Sequence, residues 1–269
     1  MPDTDATTDK ALPTSFASWD ELIDFCTTAF PEAAGVDSNV SETRGGPEAA
    51  EERLAAVDPP AYGRTRNSLD GAVTRLSAYL RHGVLGLAET RDRVIEIGGS
   101  PNAGYKLLQE LAWRDYWRRV LDEIGSDIWE DQEPYKTGYD ADEYADELPD
   151  DFLAAETGND FVDHVVTELH TTGHLHNQFR MKIAAYVVHW RHVKWQAGAR
   201  WMLSHLLDGD VASNNLSWQW VASTFAAKPY IFNQDNLIKV TDGKLRGVDA
   251  DGTSPFAGTY DELNDRLFR

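Results

Sequence analysis

The sequence predicts a mainly α-helical protein, and three observations carry that expectation. Apolar residues recur at three- and four-residue spacing in one stretch after another. Helix-start signals stand where those stretches begin, as in Ser18-Trp-Asp-Glu21 and Ser100-Pro101. Strand signals are weak: no apolar/polar alternation is sustained, and no Asn-Gly or Asp-Gly turn joins two β-rich runs.

Taken in order, residues 1–14 read as a disordered tail rich in Asp and Thr. The capping-box spacing at Ser18 opens an amphipathic helix to about Phe30. Residues 31–46, with Gly35, Gly45 and Gly46, read as loop, and a short Ala/Glu-rich helix follows Pro47. Val73, Leu76, Tyr79 and Leu80 give residues 70–80 a helical spacing. A long helix is expected from Ser100-Pro101 to about Gly125. Residues 138–151 form an acidic, exposed element. Helices are expected over 159–172, 176–190, 195–207 and 211–225, and residues 237–260 are turn-rich. The expected organisation is a tail (1–14), a helical cap (15–61), a main helical domain (62–233) and a C-terminal extension (234–269).

A chain of 269 residues with 42% hydrophobic and 11% aromatic content buries a sizeable core. Cys26 is the single cysteine, which excludes an intramolecular disulfide framework, a thiolate zinc site and a cysteine-ligated iron–sulfur cluster. The acidic, polar start and the absence of a long apolar run lead to the expectation of a soluble, cytoplasmic protein with no membrane partner. His170 and His174 stand four apart, but with no His-Glu-x-x-His motif they read as a helix face beside Gly173, and no metal is expected. No Gly-x-Gly-x-x-Gly motif and no phosphate-binding loop is present, so a nucleotide cofactor would be held by a non-Rossmann device.

The formal charge of −20 and pI near 4.6, taken alone, argue against nucleic acid as a partner. They also suit a protein kept soluble in a high-salt, halophilic cell. The distribution matters more than the sum. Residues 122–168 hold 17 acids and one base, Lys136, whereas 169–207 hold no acid, five bases and six of the eight histidines. A neutral or positive face can therefore exist on this acidic chain.

Three segments decide the functional expectation: Gln-Glu110-Leu-Ala-Trp113-Arg114-Asp-Tyr-Trp117, then Thr-Gly-His174-Leu-His-Asn177-Gln-Phe-Arg180-Met181, then Leu-Leu-Asp208-Gly209-Asp210-Val-Ala-Ser-Asn214-Asn-Leu-Ser-Trp218-Gln-Trp220. In order and spacing, from about Tyr62 to Asn233, they resemble the flavin-binding helical domain of the photolyase/cryptochrome family. Full-length members carry an α/β antenna domain in front. Only 61 residues precede Tyr62 and they show no βαβ pattern, so the chain resembles the short photolyase-like proteins that keep the helical half.

The resemblance implies FAD as cofactor. It places Tyr62, Thr74, Arg75, Leu76 and Ser77 at the phosphates, with Val73 replacing a family Thr. Arg180, Asp208, Gly209 and Asp210 fall around the isoalloxazine and ribose, and Asn214 opposite flavin N5. It implies a pocket for a flipped-out pyrimidine dimer from Glu110, Trp113, Asn177, Met181 and Trp220, with Arg66 and Arg114 at DNA phosphates. Flat indoles suit extruded bases, and amide and carboxyl groups suit their edges. Trp218 and Trp195 match the family's proximal and middle electron carriers, whereas Phe152 stands at the distal position. Other departures are His174 for a usual Trp, Gln178 for a common Arg, and Leu216-Ser217 for Gly-Gly. The implied activity is light-driven repair of cyclobutane pyrimidine dimers in DNA, single-stranded DNA included, by a monomeric lyase that takes its electron from reduced FAD. The alternatives are a cryptochrome-like blue-light photoreceptor without repair activity and a helical flavoprotein or nucleic-acid-binding module without photochemistry.

Overall fold

The computed structural model of the protein describes residues 12–36 and 41–269. Most of the expected 1–14 tail lies outside the described residues. Two compact units emerge, Met1–Val40 and Ser41–Arg269. The smaller contains α1 (Trp19–Ala29), where Ser18 Oγ accepts from the Glu21 amide at 3.1 Å and Glu21 Oε2 accepts from the Ala17 amide at 2.6 Å. Residues 31–46 were expected to be loop from their glycines, and the structure corrects this: α2 (Pro31–Val36) starts on a proline at a helical first position, with Glu32 in its first turn.

The larger unit holds α3 (Gly46–Ala55), α4 (Pro59–Thr65), α5 (Ser77–Arg81), α6 (Leu87–Gly98), α7 (Tyr105–Ile124), α8 (Asp150–Leu153), α9 (Asp160–Thr172), α10 (Asn177–Ala185), α11 (Trp195–His205), α12 (Val211–Ala222), α13 (Gln234–Val240) and α14 (Tyr260–Leu267). A π-helical turn, Tyr186–Trp190, extends α10. Among the described residues β structure is reduced to one isolated bridge, Ala145 with Val193. The mainly α fold is as expected, and no helix is long and apolar enough to cross a membrane among the described residues.

Three expectations are corrected by backbone detail. The helix expected over 70–80 covers only Ser77–Arg81, because Arg75 takes a left-handed φ of 52° and Gly71 turns so tightly that a Cβ would lie 1.9 Å from the Thr65 carbonyl oxygen. The long helix starts at Tyr105 rather than Ser100. Ser100 Oγ accepts from the Ala103 amide in a turn, and Gly104 lets the chain pass Val94. The turn-rich 237–260 segment opens inside α13, capped by the Asn233 side chain on the Asn236 amide at 3.0 Å. α4, α6 and α14 were not expected at all.

The main core packs α9 to α12 around Phe161, Phe179, Ile183, Val188, Trp195 and Trp218. α9 and α12 begin on side-chain caps, Asn159 and Asp210, as their sequences suggest. α12 is buried around most of its circumference: Leu216 and Trp218 pack inward, and the Gln219 amide donates to the Ile128 carbonyl at 3.2 Å. Leu216, in place of a family glycine, is absorbed by a small core with Ile128 and Ala212. The C-terminal segment completes the main core, since Phe256 is fully buried 4.7 Å from the Phe232 ring. Residues 41–61 likewise belong to the Ser41–Arg269 unit, where Leu54 of α3 packs with Val94 and Leu107. The acidic 138–151 segment is exposed in part only, with Tyr144 buried.

Candidate functional site

The Leu207-Asp208-Gly209-Asp210 turn between α11 and α12 gathers the charged centre of the molecule. Arg180 on α10 donates from Nη2 to both Asp208 oxygens at 2.9 Å, and its Nε donates to the Leu175 carbonyl at 3.0 Å. Burial alone would raise the Asp208 carboxyl. Arg180 and a hydrogen bond from Ser77 more than offset it and hold the acid below its usual range. Asp210 caps α12 by accepting from the Ser213 amide at 2.9 Å, and it meets Arg114 at 3.2 Å and Arg118 at 3.3 Å. Gly209 fits closely between the acids: a Cβ there would lie 3.0 and 3.1 Å from the Leu203 and Leu206 carbonyl oxygens.

Beside this turn opens a cleft of about 160 Å³ whose walls include Arg53, Arg75, Ser77, His174 and Asp208. Burial, then the Arg180 and Arg75 charges, push His174 down to about 4, so the ring is neutral at pH 7. Two guanidinium groups and a hydroxyl can hold anionic oxygens there, beside the Glu42 and Asp208 carboxylates. An ionised carboxylate held in place accepts from a sugar hydroxyl or an imide N–H. A second cleft of about 100 Å³ shares Arg53 and includes Val73 and Thr74. Thr74 Oγ1 accepts from the Leu76 amide at 3.4 Å. Tyr62, on α4, is raised to about 12 by burial and then by the Glu110 charge.

The structure thus brings together Arg75, Ser77, Arg180, Asp208 and, through Asp210, Arg114. Arg114 was expected at a DNA phosphate. It is turned inward instead, its side chain 13% exposed. Arg66 was expected at a phosphate and Glu110 at a base edge, and the two form an ion pair with Nε to Oε1 at 3.5 Å. Asn177 Nδ2 donates to Met181 Sδ at 3.4 Å. Asn214 spends its amide protons on the Ala199 carbonyl, 3.0 Å, and on Asn215 Oδ1, 3.1 Å. The indoles divide into two groups. Trp113 and Trp220 are 45% and 40% exposed, whereas Trp195 and Trp218 are buried. Trp113 stacks on Trp117 at 5.3 Å, and Trp220 lies against Tyr230 at 5.4 Å, so each indole has a different aromatic backing. Phe152 is fully buried, with its ring 4.9 Å from Trp201.

Sequence reasoning missed Arg118, Arg53 and Asp131. Arg118 was legible, one helical turn after Arg114 on the same face of α7. Arg53 had no signal, because its place in the cleft depends on how α3 packs. Asp131 accepts the Trp195 indole N–H at 2.6 Å across 64 residues of sequence.

A family model described as the FAD-binding domain of DNA photolyase matches residues 107–250. The chain belongs to this photolyase FAD-binding family. FAD is the cofactor for which the family's domain is described. A deoxyribodipyrimidine photo-lyase of Streptomyces griseus is 38% identical over 153 residues, 57% of this chain and 32% of its own length. One from Halobacterium salinarum is 30% identical over 205 residues, 68% of this chain and 39% of its own length. The chain spans about a third of the length of the curated photolyases it matches. Solved structures with the same fold include a Synechocystis cryptochrome and a class III photolyase from Agrobacterium tumefaciens. The first has a TM-score of 0.64 at 24% identity, covering 75% of this chain and 44% of that one. The second has 0.62 at 18%, covering 88% and 57%.

Proposed function

We propose that this chain binds FAD and carries out light-driven repair of cyclobutane pyrimidine dimers in DNA, single-stranded DNA included, acting as a monomer in the cytoplasm. The donor set suits the cofactor. Arg75 and Ser77 of the first cleft and Thr74 of the second would hold the pyrophosphate, with Tyr62 joining them as the family resemblance implies. Asp208, anchored by Arg180, would accept from the ribose or the flavin imide, and Asn214 would stand at the flavin edge. A cleft of about 160 Å³ is smaller than a dinucleotide needs, so the long Arg53 and Arg75 side chains in its wall would have to move outward on binding. When bound, FAD supplies a light-excitable one-electron donor or acceptor.

The observation that carries the repair reading is the exposure of Trp113 and Trp220, at 45% and 40%, in a protein that buries Trp195 and Trp218. A large apolar side chain left in water on a rigid aromatic backing suits a stacking partner such as an extruded base. Glu110 and Asn177 stand on the same two helices, α7 and α10, as Trp113 and Met181, and they offer groups to base edges. For Glu110 to meet a base, its pair with Arg66 has to open, which releases the guanidinium toward a phosphate. Prereduced, FAD-loaded protein is given dimer-containing oligonucleotides under blue light. Loss of dimers that requires both light and FAD is expected. Stable flavin photochemistry with no dimer loss would favour the photoreceptor reading.

A further inference from the structure

We infer that Asp131 is the proton acceptor for Trp195, so that an electron hole arriving at Trp195 is trapped there as a neutral indole radical. The inference rests on the reading that this chain holds a photoactive flavin. Two buried indoles differ in one respect. Among the described residues, the Trp218 Nε1–H is buried without a hydrogen-bond partner. The Trp195 Nε1–H donates to Asp131 Oδ1 at 2.6 Å, a charge-assisted length. Asp131 is partly exposed, and the same oxygen accepts from Gln196 Nε2 at 3.1 Å, which fixes the carboxylate against the start of α11. The two indoles belong to one buried cluster. The Trp218 ring lies on Gly198, one turn along α11 from Trp195.

An indole that loses an electron becomes a far stronger N–H acid. A hole on Trp218 has no base to take its proton and stays a cation in an apolar site, which is costly. With FAD bound, oxidised and photoexcited, Trp218 would give it one electron, and Trp195 would give one electron to Trp218. The Trp195 N–H bond then breaks and an O–H bond forms on Asp131. The balance is one electron on the flavin, a neutral radical on Trp195 and a carboxylic acid at Asp131. A thiol in solution returns the electron to Trp195, and Asp131 returns the proton. A hole trapped at Trp195 ends the chain of indoles at the second one. Tyr135 lies beside the same carboxylate; burial and then the Asp131 charge raise its phenol, so it rests protonated and leaves Asp131 free to serve Trp195.

The test uses Asp131→Asn, which keeps an oxygen to accept the hydrogen bond but removes the base, and Asp131→Glu, which restores one. In the flavin-free full chain, the Trp195 indole N–H proton resonance, assigned with Trp195→Phe, should move upfield in Asp131→Asn and recover in Asp131→Glu. In the FAD-loaded protein, transient absorption after a flash should show a neutral Trp radical in the parent. Asp131→Asn should show a cation radical that recombines about tenfold faster, the equivalent of losing one charge-assisted bond. An unmoved resonance, or a neutral radical of parental lifetime in Asp131→Asn, overturns the inference while leaving the flavin reading intact. A parent that binds FAD and forms no Trp radical overturns the inference together with the photochemical reading on which it rests.

Discussion

The Trp218 ring lies directly on Gly198: a Cβ built on that glycine would stand 2.3 Å from one ring carbon and 2.4 Å from the next. Glycine is needed there for space, since Gly198 is helical and its φ is ordinary. Gly198→Ala should displace the indole or push α11 from α12, at a cost of about 1–3 kcal/mol. Urea midpoints and the near-ultraviolet circular dichroism of the parent and variant measure this. Gly35→Ala, which meets nothing within 4 Å, is the control and should leave the midpoint unchanged or raise it.

Asp208→Asn removes the partner of a guanidinium whose side chain is only 25% exposed. Stability should fall by about 2 kcal/mol, below the 3–5 typical of a fully buried pair. FAD retention should fall further, because Arg180 loses its anchor as the cofactor loses an acceptor. The ratio of visible to ultraviolet absorbance after gel filtration reads the second effect, and retention at the parental level would remove Asp208 from the cofactor site.

Lys182 is fully buried on α10, with Gln178 Oε1 at 2.8 Å and the Phe232 ring beneath it. Burial lowers its ammonium from 10.5 to about 8. The penalty for carrying the charge is complete below pH 8 and vanishes as pH rises toward 10.5, where the unfolded chain also loses its proton. Stability should therefore increase between pH 8 and 10.5, by about 3 kcal/mol from this group. Lys182→Met should be more stable than the parent at pH 7 and should lack that rise. Denaturation midpoints at pH 7, 8 and 9.5 decide it.

How much of this was legible depended on where the deciding partner sits. α9 to α12 could be read because each has periodic apolar residues, and the Asn159 and Asp210 caps stand next to the helices they start. α6 could not. Its surface is a run of Glu89, Arg91, Asp92, Arg93 and Glu96, and only Thr90 and Val94 are buried, too few to make a pattern. The Thr74–Ser77 segment misled because a left-handed Arg75 breaks a run whose side chains have helical spacing. At the site, the residue types around Asp208 were legible from family resemblance. Their pairings were not, because Arg66 with Glu110 and Arg114 with Asp210 are set by helix packing across 44 and 96 residues of sequence.

DNA binding should depend little on salt. Counterion release gives a slope that grows with the number of phosphates neutralised, and only uncommitted cations neutralise them. In the stretch 169–207, Arg180 is paired with Asp208, Arg191 with Asp151 and Lys194 with Asp146. Lys182 is buried, and the Arg200 guanidinium lies 4.8 Å from the centre of the Trp129 ring. Arg114 and Arg118 share Asp210, and Arg66 becomes available to a phosphate only when its pair with Glu110 opens. These residues leave little positive charge free for a phosphate, on a chain carrying −20 overall. The affinity must then come from stacking, about 1–3 kcal/mol per base, which salt scarcely touches. Affinity for a lesion-bearing single strand, measured from low to molar salt, should give a log–log slope shallower than about −2, the equivalent of no more than about three phosphates. Trp220→Ala should weaken binding roughly tenfold at every salt concentration, whereas Arg66→Ala should change the slope more than the high-salt affinity. A steep slope combined with parental binding by Trp220→Ala would mean that the chain tracks phosphates, and that the exposed indoles serve some other surface.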